Sequence, residues 1–131
     1  MSLNIPQELV YEILKNLSVF DILKFVKIFD IPKDIINLEI FRDTHTILES
    51  VLMADPECED LELLEKLIKN GANPLFKNIC GISPCSILLC HYNLGFIDDN
   101  KLCKICNIFF PNKLSFTRSG KCYTSLEGIF A

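Results

Sequence analysis

Apolar residues recur along this chain at helical spacing, in short blocks separated by turn-forming residues. The first block holds Leu9, Val10, Ile13, Leu14 and Leu17, with Gln7, Glu8, Glu12 and Lys15 elsewhere on the cylinder. That is the pattern of an amphipathic helix. Asn4 is placed to cap it, and Pro6 to take a first-turn position where a missing N–H costs little. Ser18 with Asp21 three residues on resembles a capping box. It opens a second block of Ile22, Leu23, Phe25, Val26 and Phe29. Pro32 is expected to open a third helix through Ile35, Ile36, Leu38 and Ile40.

A second part begins near Thr44. Ile47, Leu48, Val51 and Leu52 form one helical face, broken at Asp55-Pro56. The next helix is expected from about Asp60 to Lys69, with Leu61, Leu63, Leu64, Leu67 and Ile68 as its apolar side. Glu62–Lys66 and Glu65–Lys69 are i,i+4 pairs in the favourable orientation on its polar side. Gly71 ends that helix, because glycine accepts the left-handed conformation of a helix stop. An extended loop leads to Gly81, and Ser83-Pro84 supplies the cap and first residue of the following helix. The cycle then repeats. A helix runs to about His91, a loop holds Asp98-Asp99-Asn100, and a helix spans Leu102 to Phe109. A loop to Gly120 and a short helix from Thr124 follow.

The two cycles are related by a shift of about 39 residues, a period in the range of stacked repeats. The shift lays Leu63 on Leu102, Leu67 on Cys106, Asn73 on Asn112, Leu75 on Leu114, Gly81 on Gly120 and Ser86 on Ser125. In such architectures one unit cannot bury its own apolar face, so neighbours must stack. This favours a binding surface over a catalytic pocket.

The helix ending in Asn70-Gly71-Ala72-Asn73-Pro74, followed by a loop, Gly81 and Ser83-Pro84-Cys85, resembles an ankyrin repeat. The resemblance covers residues 42–131, as about two repeats and a partial third. It departs from the family in its longer period and in Tyr123-Thr124-Ser125-Leu126, which lacks the proline. The resemblance implies target binding at the hairpin loops: Phe76, Lys77 and Asn78 in the first, Phe116, Thr117 and Arg118 in the second. Residues 1–41 carry another resemblance. Ile5-Pro6, Glu8-Leu9, Ile13-Leu14, Leu17, Asp21 and Leu23 are spaced as at the start of an F-box. The F-box is a three-helix module that docks on the adaptor subunit of cullin-based ubiquitin ligases. The family's Val-Cys-x-x-Trp region is absent here, replaced by Val26 to Pro32. The resemblance implies that Ile5, Pro6, Leu9, Ile13, Leu14 and Leu17 form the adaptor-binding face. The combination is similar to F-box/ankyrin proteins of large DNA viruses, which would act inside a host cell. The other reading of the same helices is that they only cap the open end of the repeat stack.

Composition narrows the function class. The chain has 131 residues, half of them hydrophobic, with ten Phe and no Trp, enough for a core without disulfides or metal. A net charge of −4 and the lack of a long Lys/Arg cluster argue against nucleic acid as the partner. No apolar run reaches the roughly eighteen residues of a membrane span, and Met1-Ser2-Leu3-Asn4 lacks the layout of a secretory signal. The seven Cys are then expected to be reduced thiols, and the protein cytoplasmic or nuclear. Cys103-x-x-Cys106 has a zinc-knuckle spacing, but both fall at helical core positions, and the paired turn that zinc needs is missing. Neither His45 nor His91 lies in a nucleophile or metalloprotease motif, and there is no glycine-rich phosphate loop.

The expectation is an all-α protein: a three-helix F-box-like segment over 1–41, packed onto a short ankyrin-like helical repeat stack over 42–131. Its expected function is non-enzymatic, with protein partners and no cofactor. It would bring a target to a ubiquitin ligase or, alternatively, bind or inhibit a target with no ligase connection.

Overall fold

The computed structural model describes residues 5–111. Six helices follow one another among them: α1 (Gln7–Lys15), α2 (Val19–Ile28), α3 (Ile47–Ala54), α4 (Leu61–Lys69), α5 (Pro84–Asn93) and α6 (Asp99–Phe109). The described residues contain no named strand, only an isolated bridge between Phe41 and His45. The protein is all-α in this sense.

Most helix starts are set by side chains that accept a free backbone N–H. Ser18 accepts from Asp21 N, Thr46 from Glu49 N, Asp60 from Leu63 N, Ser83 from Ser86 N and Asp98 from Lys101 N. Each satisfies one of the donors that a helix leaves unpaired at its N-terminus. Pro84 takes the first position of α5, as expected. α1 differs. Its cap position is Pro6, with no side-chain bond; the capping role expected of Asn4 falls outside the described residues.

α4 and α5 stop in the same way. Gly71 N reaches Ile68 O at 3.0 Å and Ala72 N reaches Leu67 O at 3.0 Å. Gly95 N reaches Tyr92 O at 3.1 Å and Phe96 N reaches His91 O at 2.9 Å. Both are Schellman stops, which need a left-handed residue, and the glycines supply φ of 104° and 86°.

The expected third N-terminal helix does not form. Residues 33–37 are successive turns, with Ile35 N on Pro32 O and Leu38 N on Ile35 O, both at 3.1 Å. The side chains and backbone of this segment are committed to distant partners instead. Tyr11 Oη donates to Glu39 O, Asn37 bonds the Gly71–Asn73 turn, and Glu39 accepts from Ile79 N. A tight turn follows, in which Arg42 and Asp43 are both left-handed, with φ of 55° and 56°.

α2 lies against α3, α3 against α5, and α4 against α6. The first helix of each cycle therefore meets the first of the next, and the second meets the second. The residues superimposed by the shift agree: Leu63 and Leu102, and Leu67 and Cys106, are all buried. One apolar core runs from Val10 on α1 to Phe110 past α6. Lys66 reinforces the join between the N-terminal helices and α4. Its Nζ donates to Val26 O at 3.0 Å and Phe29 O at 3.4 Å, and lies 3.3 Å from Asp30 Oδ1. The expected Glu62–Lys66 pair thus gives way to a longer-range one, whereas Glu65–Lys69 forms at 3.1 Å.

Candidate protein-interaction faces

The apolar arc of α1 is wider than its buried seam. Val10 and Leu14, four residues apart, are fully buried. One residue earlier on the cylinder, Ile5, Leu9 and Ile13 are exposed at 40%, 53% and 41%. Residues four apart lie on one side of a helix, so Leu9 and Ile13 share a stripe, and Ile5 extends it past the cap. Pro6 is exposed and Leu17 half-buried. Leu14 must be removed from the expected adaptor face. Its side chain belongs to the core, and a partner could reach it only by unfolding α1.

The first loop departs further from expectation. Lys77 is exposed and Phe76 half-buried, but Asn78 is buried. Its Nδ2 donates to Glu49 Oε1 at 3.1 Å, and its Oδ1 accepts from Cys80 N and Ile82 N, both at 2.9 Å. Asn78 shapes the loop rather than offering itself to a target. The Glu49 carboxylate it meets is itself fully buried on α3, with His45 Nδ1 at 2.9 Å and Thr46 Oγ1 at 3.5 Å. Burial pushes the Glu49 carboxyl up from its ordinary value, against the opposing pull of His45, Asn78 and Thr46. Phe116, Thr117 and Arg118 lie outside the described residues.

The structure brings other residues to the loop edge. Asn37 bonds Asn73 N and Glu39 bonds Ile79 N, so Leu38 runs alongside the stretch carrying Leu75 and Ile79. All three apolar side chains are exposed, Ile79 at 80%. Sequence reasoning missed them because Leu38 was assigned to a helix that does not form. The Asx turns at Asn73 and Asn78, visible as Asn at fixed offsets, were the available signal.

Cys58, Cys85 and Cys106 are buried free thiols, each pushed up to about 12 by burial, and so are not thiolates near neutrality. Cys80 and Cys90 are exposed free thiols, while Cys103 is not among the free thiols, so the expectation of reduced cysteines fails there. Among the described residues no three of His, Cys, Asp and Glu converge as a metal site would require. No helix of the described residues is long and apolar enough to cross a membrane. His91 donates through Nε2 to Leu52 O at 3.0 Å and stacks edge-on with Phe96. Comparison with family models, with curated proteins and with solved structures returned no match.

Proposed function

We propose that this is a non-enzymatic interaction protein that recruits a target to a cullin-based ubiquitin ligase. In this reading residues 1–41 act as an F-box-like segment and the following helices as an ankyrin-like stack. The observation that carries it is the second apolar stripe on α1. Val10 and Leu14 already supply the helix with its buried seam, yet Ile5, Leu9 and Ile13 are kept apolar and exposed. Single exposed apolar residues are ordinary, but a run in helical register is the kind of surface that an apolar groove on a partner reads. Pro6 and the exposed part of Leu17 extend the stripe at its two ends. With no third N-terminal helix, the adaptor contact would rest on α1 and α2. The target would be held at the loop edge by Phe76, Lys77, Leu38, Leu75 and Ile79. Incubation of the chain with the purified adaptor subunit, followed by capture, tests this. Co-capture is expected, and its failure at high micromolar concentration would reject the ligase connection.

A second reading is favoured by the way the N-terminal segment is fastened. Asn37, Glu39 and Lys66 all bridge it to the helices that follow. A segment whose only task is to close the end of a stack would be bound in this way. The protein would then be a binding or inhibitory module without a ligase, using the loop edge alone.

A further inference from the structure

We infer that a second copy of this chain docks α1 against α2. The inference shares the α1 stripe with the adaptor reading but requires no adaptor. On α1, Glu8 and Glu12 each stand one residue before Leu9 and Ile13, on the side of the stripe away from the buried seam. The exposed face is therefore apolar, with Glu8 and Glu12 along its border and Lys15 at the C-terminal end of it. On α2 the buried residues are Ile22 and Val26. The opposite side carries Phe20 and Ile28, exposed at 61% and 55%, with exposed Lys24 four residues from each. Lys27 lies beside them, half-exposed, with only a loose 3.8 Å approach to Asp60. This second face is apolar and net basic, with Lys24 between Phe20 and Ile28, Lys27 on one edge and Asp21 on the other.

The two faces complement each other in charge and in length. Glu8, Glu12 and Lys24 form no ion pair among the described residues, so each is free to take a partner from outside. α1 is about 14 Å long and α2 about 15 Å at 1.5 Å per residue, so neither overhangs the other when they lie side by side. Within one chain the two faces do not cover each other, since Leu9, Ile13, Phe20 and Ile28 all stay exposed. Between two copies they can, and in a two-fold pair the contact is made twice. Apolar residues would supply the contact, and the opposed borders would fix which helix meets which.

The test is a charge swap read by sedimentation. Glu8→Lys with Glu12→Lys makes both borders basic, and Lys24→Glu with Lys27→Glu makes both acidic. The unaltered chain is expected to show a two-chain species at high micromolar concentration. Each reversed variant should lose that species, with self-association weakened about tenfold or more by like-charge contact. An equimolar mixture of the two variants should regain it, since each basic face then meets an acidic one. All four changes lie on exposed side chains, and recovery in the mixture also shows that both variants are folded. A strictly monomeric unaltered chain, variants that associate as well as it does, or a mixture that stays monomeric would overturn the inference. Adaptor capture is a separate reading, so either proposal can fail while the other stands.

Discussion

Asn37 holds Asn73 by its backbone: Asn37 Oδ1 accepts from Asn73 N at 2.8 Å while its Nδ2 donates to Gly71 O at 2.9 Å. One side chain thereby satisfies both polar groups that flank Ala72 and ties the N-terminal segment to the stop of α4. Replacing it removes two bonds at once, although the freed groups are exposed and can turn to water. Asn37→Ala is expected to lower stability by about 1–2 kcal/mol in urea unfolding. An unchanged unfolding midpoint would show that the clamp is incidental.

His91 completes a helix end that its own sequence leaves open. In an α-helix the Leu52 carbonyl would accept from residue 56, but that residue is Pro56 and has no N–H. His91 Nε2 supplies the missing donor from α5 at 3.0 Å. His91→Phe keeps the ring and deletes the donor, and should cost about 1–3 kcal/mol, the penalty of an unsatisfied polar group. A loss below a few tenths of a kcal/mol would mean that water replaces the bond.

Leu67 is fully buried on α4, which packs against α6. Leu67→Ala should therefore cost about 2–5 kcal/mol, the range for emptying a core leucine site. Thermal or urea unfolding measures it directly. A change under about 1 kcal/mol would show that the two layers do not depend on each other.

The parts of the fold that were legible in the sequence are those settled within three or four residues. Ser18 with Asp21, Asp60, Ser83-Pro84 and Gly71 each announced a helix boundary through a local bond or a backbone preference, and the structure uses all of them. What was not legible depends on distant partners. The Ile35–Ile40 stretch has helical spacing, but Asn37 and Glu39 are drawn off to bonds more than thirty residues away. Lys66 prefers Asp30 and two carbonyls of the α2 end to Glu62 for the same kind of reason. At the candidate face, spacing identified the apolar residues of α1 but could not divide them into the buried pair and the exposed stripe. That division depends on what lies across from the helix. Asn78 looked like a loop-tip residue because its partner, Glu49, is twenty-nine positions earlier.

Glu49 makes stability depend on pH in an unusual direction for a carboxylate. Desolvation raises its folded value above the ordinary 4.5. A raised value means that the folded state holds the proton more tightly than the unfolded chain does. Its contribution is then fully present below the unfolded value and is lost as pH rises through the folded one. Glu49→Gln removes the titration while keeping an acceptor for Asn78. The stability of the unaltered protein relative to this variant should be greatest in acid and fall as pH rises from about 4.5, followed by urea midpoints. A difference that grows with pH would show that His45 and Asn78 outweigh the burial of the charge.

If the exposed Leu9–Ile13 stripe docks the ligase adaptor, as proposed, charges placed on it will abolish that contact without disturbing the core. Leu9→Asp with Ile13→Asp places two charges on that stripe while leaving Val10 and Leu14 untouched. The measurement is calorimetric titration of this variant with the purified adaptor, alongside its thermal unfolding. The variant is expected to stay folded, with the unfolding midpoint of the unaltered chain, and to lose adaptor binding. A folded variant that binds the adaptor as well as the unaltered chain would contradict the proposal.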